Sequence, residues 1–203
     1  MSANFSDGIL RMGDVVFGAP VNEVEWLKES LGCDVFVESG TFKGDTARRM
    51  ASLFKTVVTI ERHAQLHSEA RERHPISNIT FINGDSRDEL ARVLPKDENC
   101  LVWLDAHWSG HGTYGEGDEC PLLAELQVIF DSTKTATVLI DDARLFLAPP
   151  PPPHHAAAWP SIDQVVRVIP DDYRVIVRED VIYVLKKDIF LQFQDKIWNG
   201  EFS

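Results

Sequence analysis

Between residues 34 and 185, short β-branched runs alternate with amphipathic segments, and this alternation limits the fold more than any other feature of the chain. The expected strands are Asp34–Val37, Thr56–Ile60, Ile79–Ile82, Leu101–Leu104 and Thr137–Ile140. Helical patterns fall between them, at about Asp45–Phe54, Ala64–Arg73, Ser86–Val93 and Pro121–Phe130. Strand, helix and strand in repeated succession specify a parallel sheet with helices on both faces. The ending departs from this rule. After a helix over Ser161–Val168, opened by the capping-box pair Ser161 and Gln164, come Tyr173–Val177 and Val181–Leu185, separated only by Arg178-Glu179-Asp180. That spacing is a hairpin, so the last two strands run antiparallel. The expected class is therefore α/β: a doubly wound, mostly parallel seven-stranded sheet with a C-terminal antiparallel hairpin. One domain over 1–203 is expected, with a leading helix in 1–33 (around Asn22–Leu31), a core over 34–187 and an extension over 188–203.

Composition narrows the function classes. With 203 residues and 44% hydrophobic content the chain can bury one full core. No apolar run approaches the roughly 18 residues that span a bilayer, and Met1 to Asp7 lacks the pattern of a signal peptide. Cys33, Cys100 and Cys120 are scattered and odd in number, which fits a reduced, cytoplasmic setting. A net charge of -12 argues against nucleic acid as the main partner, because phosphate backbones demand clustered Lys and Arg. A small-molecule substrate is expected, with no membrane partner, and a homo-oligomer is compatible with the sequence.

The candidate site begins at Val35-Phe36-Val37-Glu38-Ser39-Gly40-Thr41-Phe42-Lys43-Gly44. An apolar run ends in an acid, two glycines flank a turn and a helix follows, which brings backbone close to a nucleotide-like ligand at the carboxyl edge of a parallel sheet. Gly40 and Gly44 permit positive φ and close approach. The spacing lacks the full GxGxxG pattern, so pyrophosphate binding is weakly supported. The second strand ends in Glu61, where an acid accepts hydrogen bonds from ribose hydroxyls. The third ends in Asn83-Gly84-Asp85-Ser86, whose Asp85 and Ser86 suit an adenine amino group. The fourth ends in Leu104-Asp105-Ala106-His107. Any one such acid is commonly a cap or turn former; four in register carry more weight.

These motifs resemble the class I S-adenosylmethionine-dependent methyltransferases. Glu38-Ser39-Gly40-Thr41-Phe42-Lys43-Gly44 is similar to their first motif, with Glu61, Asp85-Ser86 and Asp105 in the places of the next three, and the closing hairpin is similar to theirs. The resemblance covers roughly Asn22 to Lys187 and implies a Rossmann-like methyltransferase fold with S-adenosyl-L-methionine as cofactor. It also implies Glu38 and Gly40 near the methionine part, Glu61 on the ribose, and Asp85 and Ser86 near the adenine. The departure is Thr41-Phe42-Lys43, where a second close glycine is common.

The fifth strand ends in Ile140-Asp141-Asp142, adjacent in this topology to Asp105. Three converging carboxylates repel one another unless something positive binds. Hard oxygens suit Mg²⁺ or another divalent cation such as Ca²⁺ or Mn²⁺. Some small-molecule O-methyltransferases of the class hold a divalent ion with an acid after the fourth strand and a pair after the fifth, and Asp105, Asp141 and Asp142 look similar. The alternative is that these acids satisfy backbone amides. His107 beside Asp105 is a candidate general base. His111, Tyr114 and Glu119 lie in a glycine-rich loop where substrate contact competes with simple solvation. Trp108 and Trp159 are candidates for the substrate wall or the core, and the Pro149–Pro153 run is expected to form a rigid wall over the pocket. The expected function is methyl transfer to a hydroxyl of a small molecule. The alternatives are a non-catalytic cofactor-binding or interaction protein on the same scaffold and a nicotinamide-dependent oxidoreductase.

Overall fold

The computed structural model describes residues 18–108, 115 and 117–202. The sheet is built by β1 (Val35–Ser39), β2 (Thr56–Glu61), β3 (Ile79–Asn83), β4 (Cys100–Leu104), β5 (Ala136–Ile140), β6 (Tyr173–Arg178) and β7 (Val181–Lys186). Their spatial order is β3-β2-β1-β4-β5-β7-β6. The β1 to β5 pairings are parallel, while β7 runs antiparallel to both β5 and β6. The order reverses between β1 and β4, where successive crossovers diverge and leave a crevice at the carboxyl ends.

Alternation along each strand divides the core between two faces. Val37, Val102, Leu104, Val138, Ile140 and Val184 pack on one face with α4 (Ser86–Val93), α5 (Leu122–Ser132) and α7 (Ile162–Arg167). Phe36, Leu101, Trp103, Leu139 and Tyr183 pack on the other with α1 (Val21–Leu31), α2 (Asp45–Met50) and α8 (Lys187–Trp198). The remaining helices are α3 (Ala64–Arg73) and the short α6 (Arg144–Leu147). Because both faces are covered, the central strands read as continuous apolar runs rather than alternating ones.

Several boundaries moved from their expected positions. The helix expected over Asp45–Phe54 stops at Met50, and a turn delivers Phe54 to Phe36, with ring centroids 5.3 Å apart. The expected extension after Asp188 is α8, which docks Ile189 and Phe193 into the second core. The hairpin loop is two residues, since Arg178 still pairs with Val181. Glu179 (φ 48°) and Asp180 (φ 67°) both take positive φ, the type I′ geometry that matches strand twist. Ser161 opens α7 as expected, its amide donating to Gln164 Oε1 at 3.0 Å.

Candidate active site

The carboxyl ends of β1, β2, β4 and β5 and the β3–α4 turn open into one cavity of about 360 Å³. Of the residues singled out from sequence, Gly40, Glu61, Asp85, Ser86, Asp105, His107, Asp141 and Asp142 line it. Glu38 and Gly44 do not. His111 and Tyr114 lie outside the described residues.

The first turn works differently from its expected role. Gly40 has φ +89°, and a Cβ there would stand 2.1 Å from the Asp105 carbonyl oxygen. Glycine is required because the β4 backbone passes against it, whatever ligand approaches from the other side. Gly44 (φ +78°) caps α2, and its missing Cβ leaves room for the His74 ring of the α3 C-terminus. Glu38 is buried beneath the turn, accepting from Thr59 Oγ1 at 2.6 Å, and Thr59 Oγ1 in turn lies 2.5 Å from Thr41 Oγ1. Burial lifts the Glu38 carboxyl to about 8, so it holds a proton at neutral pH. It supports the turn from below.

At the end of β2, Glu61 lines the cavity with its carboxylate anchored by two backbone amides. Oε2 accepts from the Phe42 amide at 2.9 Å and Oε1 from the His63 amide at 2.9 Å. Two amides fix the plane of a carboxylate that faces the cavity and keeps lone pairs for a diol. Asp85 differs from expectation. It caps α4 through the Arg87 amide at 3.0 Å, and Arg87 Nε and Nη2 donate to its two oxygens at 2.9 and 2.7 Å. Arg62 Nε lies 3.3 Å away. The same arginines hold Asp118, with Arg62 Nη1 at 2.9 Å and Arg87 Nη2 at 2.6 Å. Arg87 keeps both Asp85 and Asp118 below the usual carboxylate range. Ser86 lies in the first turn of α4, facing the buried Glu125 of α5, whose carboxyl is raised by desolvation.

The ends of β4 and β5 do bring Asp105, Asp141 and Asp142 together with His107. His107 Nε2 lies 3.2 Å from Asp142 Oδ2 and 3.5 Å from Asp105 Oδ1. Desolvation, followed by the neighbouring Asp141 and Asp142, pushes the Asp105 carboxyl well above its ordinary value. Asp141 is lifted to about 7, by burial first and Asp142 second, and its Oδ1 accepts the Asp142 amide at 2.8 Å. Burial holds the His107 imidazole below its usual value, hence neutral. The positive group beside this cluster is Arg144, which no sequence argument had selected. Its Nη1 lies 2.6 Å from Asp142 Oδ1 and also pairs with Asp180 in the β6–β7 turn, which further accepts the Arg144 amide at 2.8 Å. Among the described residues, no group of three or more His, Cys, Asp or Glu side chains is arranged to hold a metal ion.

Of the two roles open to Trp108 and Trp159, the core is the one observed: both are buried and do not line the cavity. Trp159 Nε1 donates to Glu119 Oε2 at 2.7 Å, which draws the indole behind His107, with ring centroids 5.3 Å apart. The proline run does not line the cavity either; Pro149 and Pro151 to Pro153 stand exposed. Glu119 is buried rather than solvated. It also accepts the His155 amide at 3.0 Å, and these bonds hold its carboxyl low against the opposing effect of burial. Arg62, Arg87, Asp118 and Arg144 escaped sequence reasoning because Asp118 and Asp180, which complete these networks, lie across loops; Arg87 two residues after Asp85 and Arg144 two after Asp142 were the local hints.

No family model and no curated protein sequence matches this chain. Its fold matches solved structures. The O-methyltransferase TomG of Streptomyces achromogenes, in complex with SAM, superposes with a TM-score of 0.56 at 16% identity, over 85% of this chain and 82% of that one. The O-methyltransferase from Bacillus cereus, in complex with SAH, gives 0.58 at 16% identity over 87% and 84%. An rRNA methylase from Streptococcus thermophilus gives 0.52 at 12% identity over 85% and 99%. The sheet order, the antiparallel closing hairpin and these likenesses define the class I S-adenosylmethionine-dependent methyltransferase fold.

Proposed function

We propose that the protein transfers a methyl group from S-adenosylmethionine to a hydroxyl oxygen of a small molecule. The observation that carries this is one continuous cavity bordered by the amide-anchored Glu61 carboxylate at one end and by Asp105, His107, Asp141 and Asp142 at the other. When bound, S-adenosylmethionine supplies an electrophilic sulfonium methyl, which the acceptor oxygen attacks in line. Glu61 holds the ribose, and Ser86 with the α4 N-terminus borders the base. The acceptor's proton passes to the Asp105–Asp141–Asp142 cluster, where Asp141 titrates at about 7, or to neutral His107. Arg144 stabilises the developing oxyanion, and exclusion of water from the buried cluster strengthens that attraction. The acidic chain disfavours a polyanionic acceptor, so a small neutral or cationic molecule is preferred over RNA.

A divalent ion is the second reading, favoured by the burial and, after it, the mutual repulsion that lift Asp105 and Asp141. Asp105, Asp141 and Asp142 would hold it, and it would lower the pKa of the acceptor hydroxyl. Arg144 already neutralises Asp142, so the metal-free route is the one the geometry favours. Turnover with a panel of small hydroxylated aromatics, with and without Mg²⁺ and chelator, decides between them. Full activity in chelator supports the Arg144 route, and strict ion dependence overturns it.

A further inference from the structure

We propose that residues 117–119 form a strap coupling the two ends of the cavity, in which Asp118 holds the cofactor rim and its neighbour Glu119 sets Trp159, the indole that backs His107. The inference rests on the methyltransferase reading and names two positioning residues within it.

The two acids are adjacent in sequence and engage in opposite directions. Asp118 accepts from Arg62 at 2.9 Å and from Arg87 at 2.6 Å. Both arginines also hold Asp85, and Arg62, Asp85 and Asp118 all line the cavity beside Glu61. Glu119 turns inward, where its carboxylate takes the His155 amide at 3.0 Å and the Trp159 indole N–H at 2.7 Å, with His154 Nδ1 at 3.4 Å. Trp159 backs the His107 imidazole, and His154 packs between Trp108 and Trp159, with ring centroids 5.3 and 5.1 Å away. Backbone bonds brace the strap, from Trp108 N to Glu119 O at 2.7 Å and from Asp118 N to Gly115 O at 2.8 Å.

Asp118 and Glu119 are consecutive residues, so a single planar peptide unit joins the two anchors. The two anchors differ in strength. Asp118 is part-exposed, and ion pairs in such positions hold loosely. Glu119 is 1% exposed and satisfied by charge-assisted bonds, which are strong when dry. Asp118 is therefore the end that yields to admit cofactor and re-forms over it, and Glu119 links that change through Trp159 to the back of His107.

Hydrogen–deuterium exchange of the full-length protein, with and without S-adenosylhomocysteine, tests the strap in wild type, Asp118→Asn and Glu119→Gln. In wild type the ligand should slow exchange at both segments 85–87 and 155–159. Asp118→Asn should bind about tenfold more weakly and, at saturation, lose the slowing at 155–159 alone. Glu119→Gln should bind within about twofold of wild type, with segment 155–159 exchanging faster and no longer responding to ligand. Where Glu119→Gln lacks a cooperative urea transition, Trp159→Phe removes the indole donor and must show the same loss. Slowing at 155–159 in all variants, or at 85–87 alone in wild type, overturns the strap. No slowing anywhere in wild type removes the methyltransferase reading itself, and the strap with it.

Discussion

At the β2–β3 end of the cavity every acid has donors: two backbone amides for Glu61, and two arginines shared by Asp85 and Asp118. At the β4–β5 end, 17% and 28% exposed side chains of Asp142 and Asp105 crowd the buried Asp141 beside a single arginine. The consequence is opposite protonation. Arg87 keeps Asp85 and Asp118 ionised far below neutrality, whereas burial and repulsion bring Asp141 to about 7 and Asp105 higher than its ordinary range. Acids that stay charged make permanent acceptors for a ligand's hydroxyls and amines. Acids that exchange protons near neutrality make bases. One cavity thus separates binding from chemistry by how many donors each carboxylate is given.

The contrast can be broken from either end. The largest effect is expected from Asp142→Asn, which should lower kcat roughly 1000-fold while leaving S-adenosylhomocysteine affinity within about threefold, read by turnover and calorimetry. In wild type the rate should rise as pH passes through about 7, because Asp141 must lose its proton before the cluster accepts another. Glu61→Ala should do the reverse, weakening cofactor binding roughly 100-fold, about 3 kcal/mol, through loss of the fixed carboxylate. Gly40→Ala touches both ends, since its Cβ would press on the Asp105 carbonyl. It should cost about 2 kcal/mol in urea denaturation and lower both affinity and turnover.

A further effect, read on stability alone, concerns the support beneath the turn. Glu38 titrates at about 8 in the fold against 4.5 ordinarily, so the folded state binds the extra proton between those values. Its stabilising contribution is complete below pH 4.5 and is lost as pH rises toward 8. Melting curves should show stability declining over that window, and Glu38→Gln should flatten the decline.

Much of the fold was legible because burial on both faces writes strands as dense β-branched runs, and because Ser161 and the short gap after Val177 announce a cap and a hairpin. The acids of the site were legible for a related reason: each ends its strand, and topology places those ends side by side. Their partners were not. Arg87 reaches Asp118 across 31 residues and Arg144 reaches Asp180 across 36, and no spacing rule anticipates which arginine a carboxylate will find. Nor does sequence distinguish a glycine spared for a ligand from one spared for a neighbouring strand, as at Gly40, or for a helix end, as at Gly44. The tryptophans stayed ambiguous in sequence, because an aromatic beside a candidate base suits a substrate wall or a core until the Trp159 indole N–H is seen bound to Glu119.

Calorimetric titration of S-adenosylmethionine and S-adenosylhomocysteine into wild type and Glu61→Ala, with NAD as control, tests the central claim most directly. The account predicts micromolar binding of both sulfur ligands to wild type, roughly 100-fold weaker binding to the variant and none of NAD. Absence of heat with either sulfur ligand at millimolar concentration, or equal binding to wild type and variant, would contradict it.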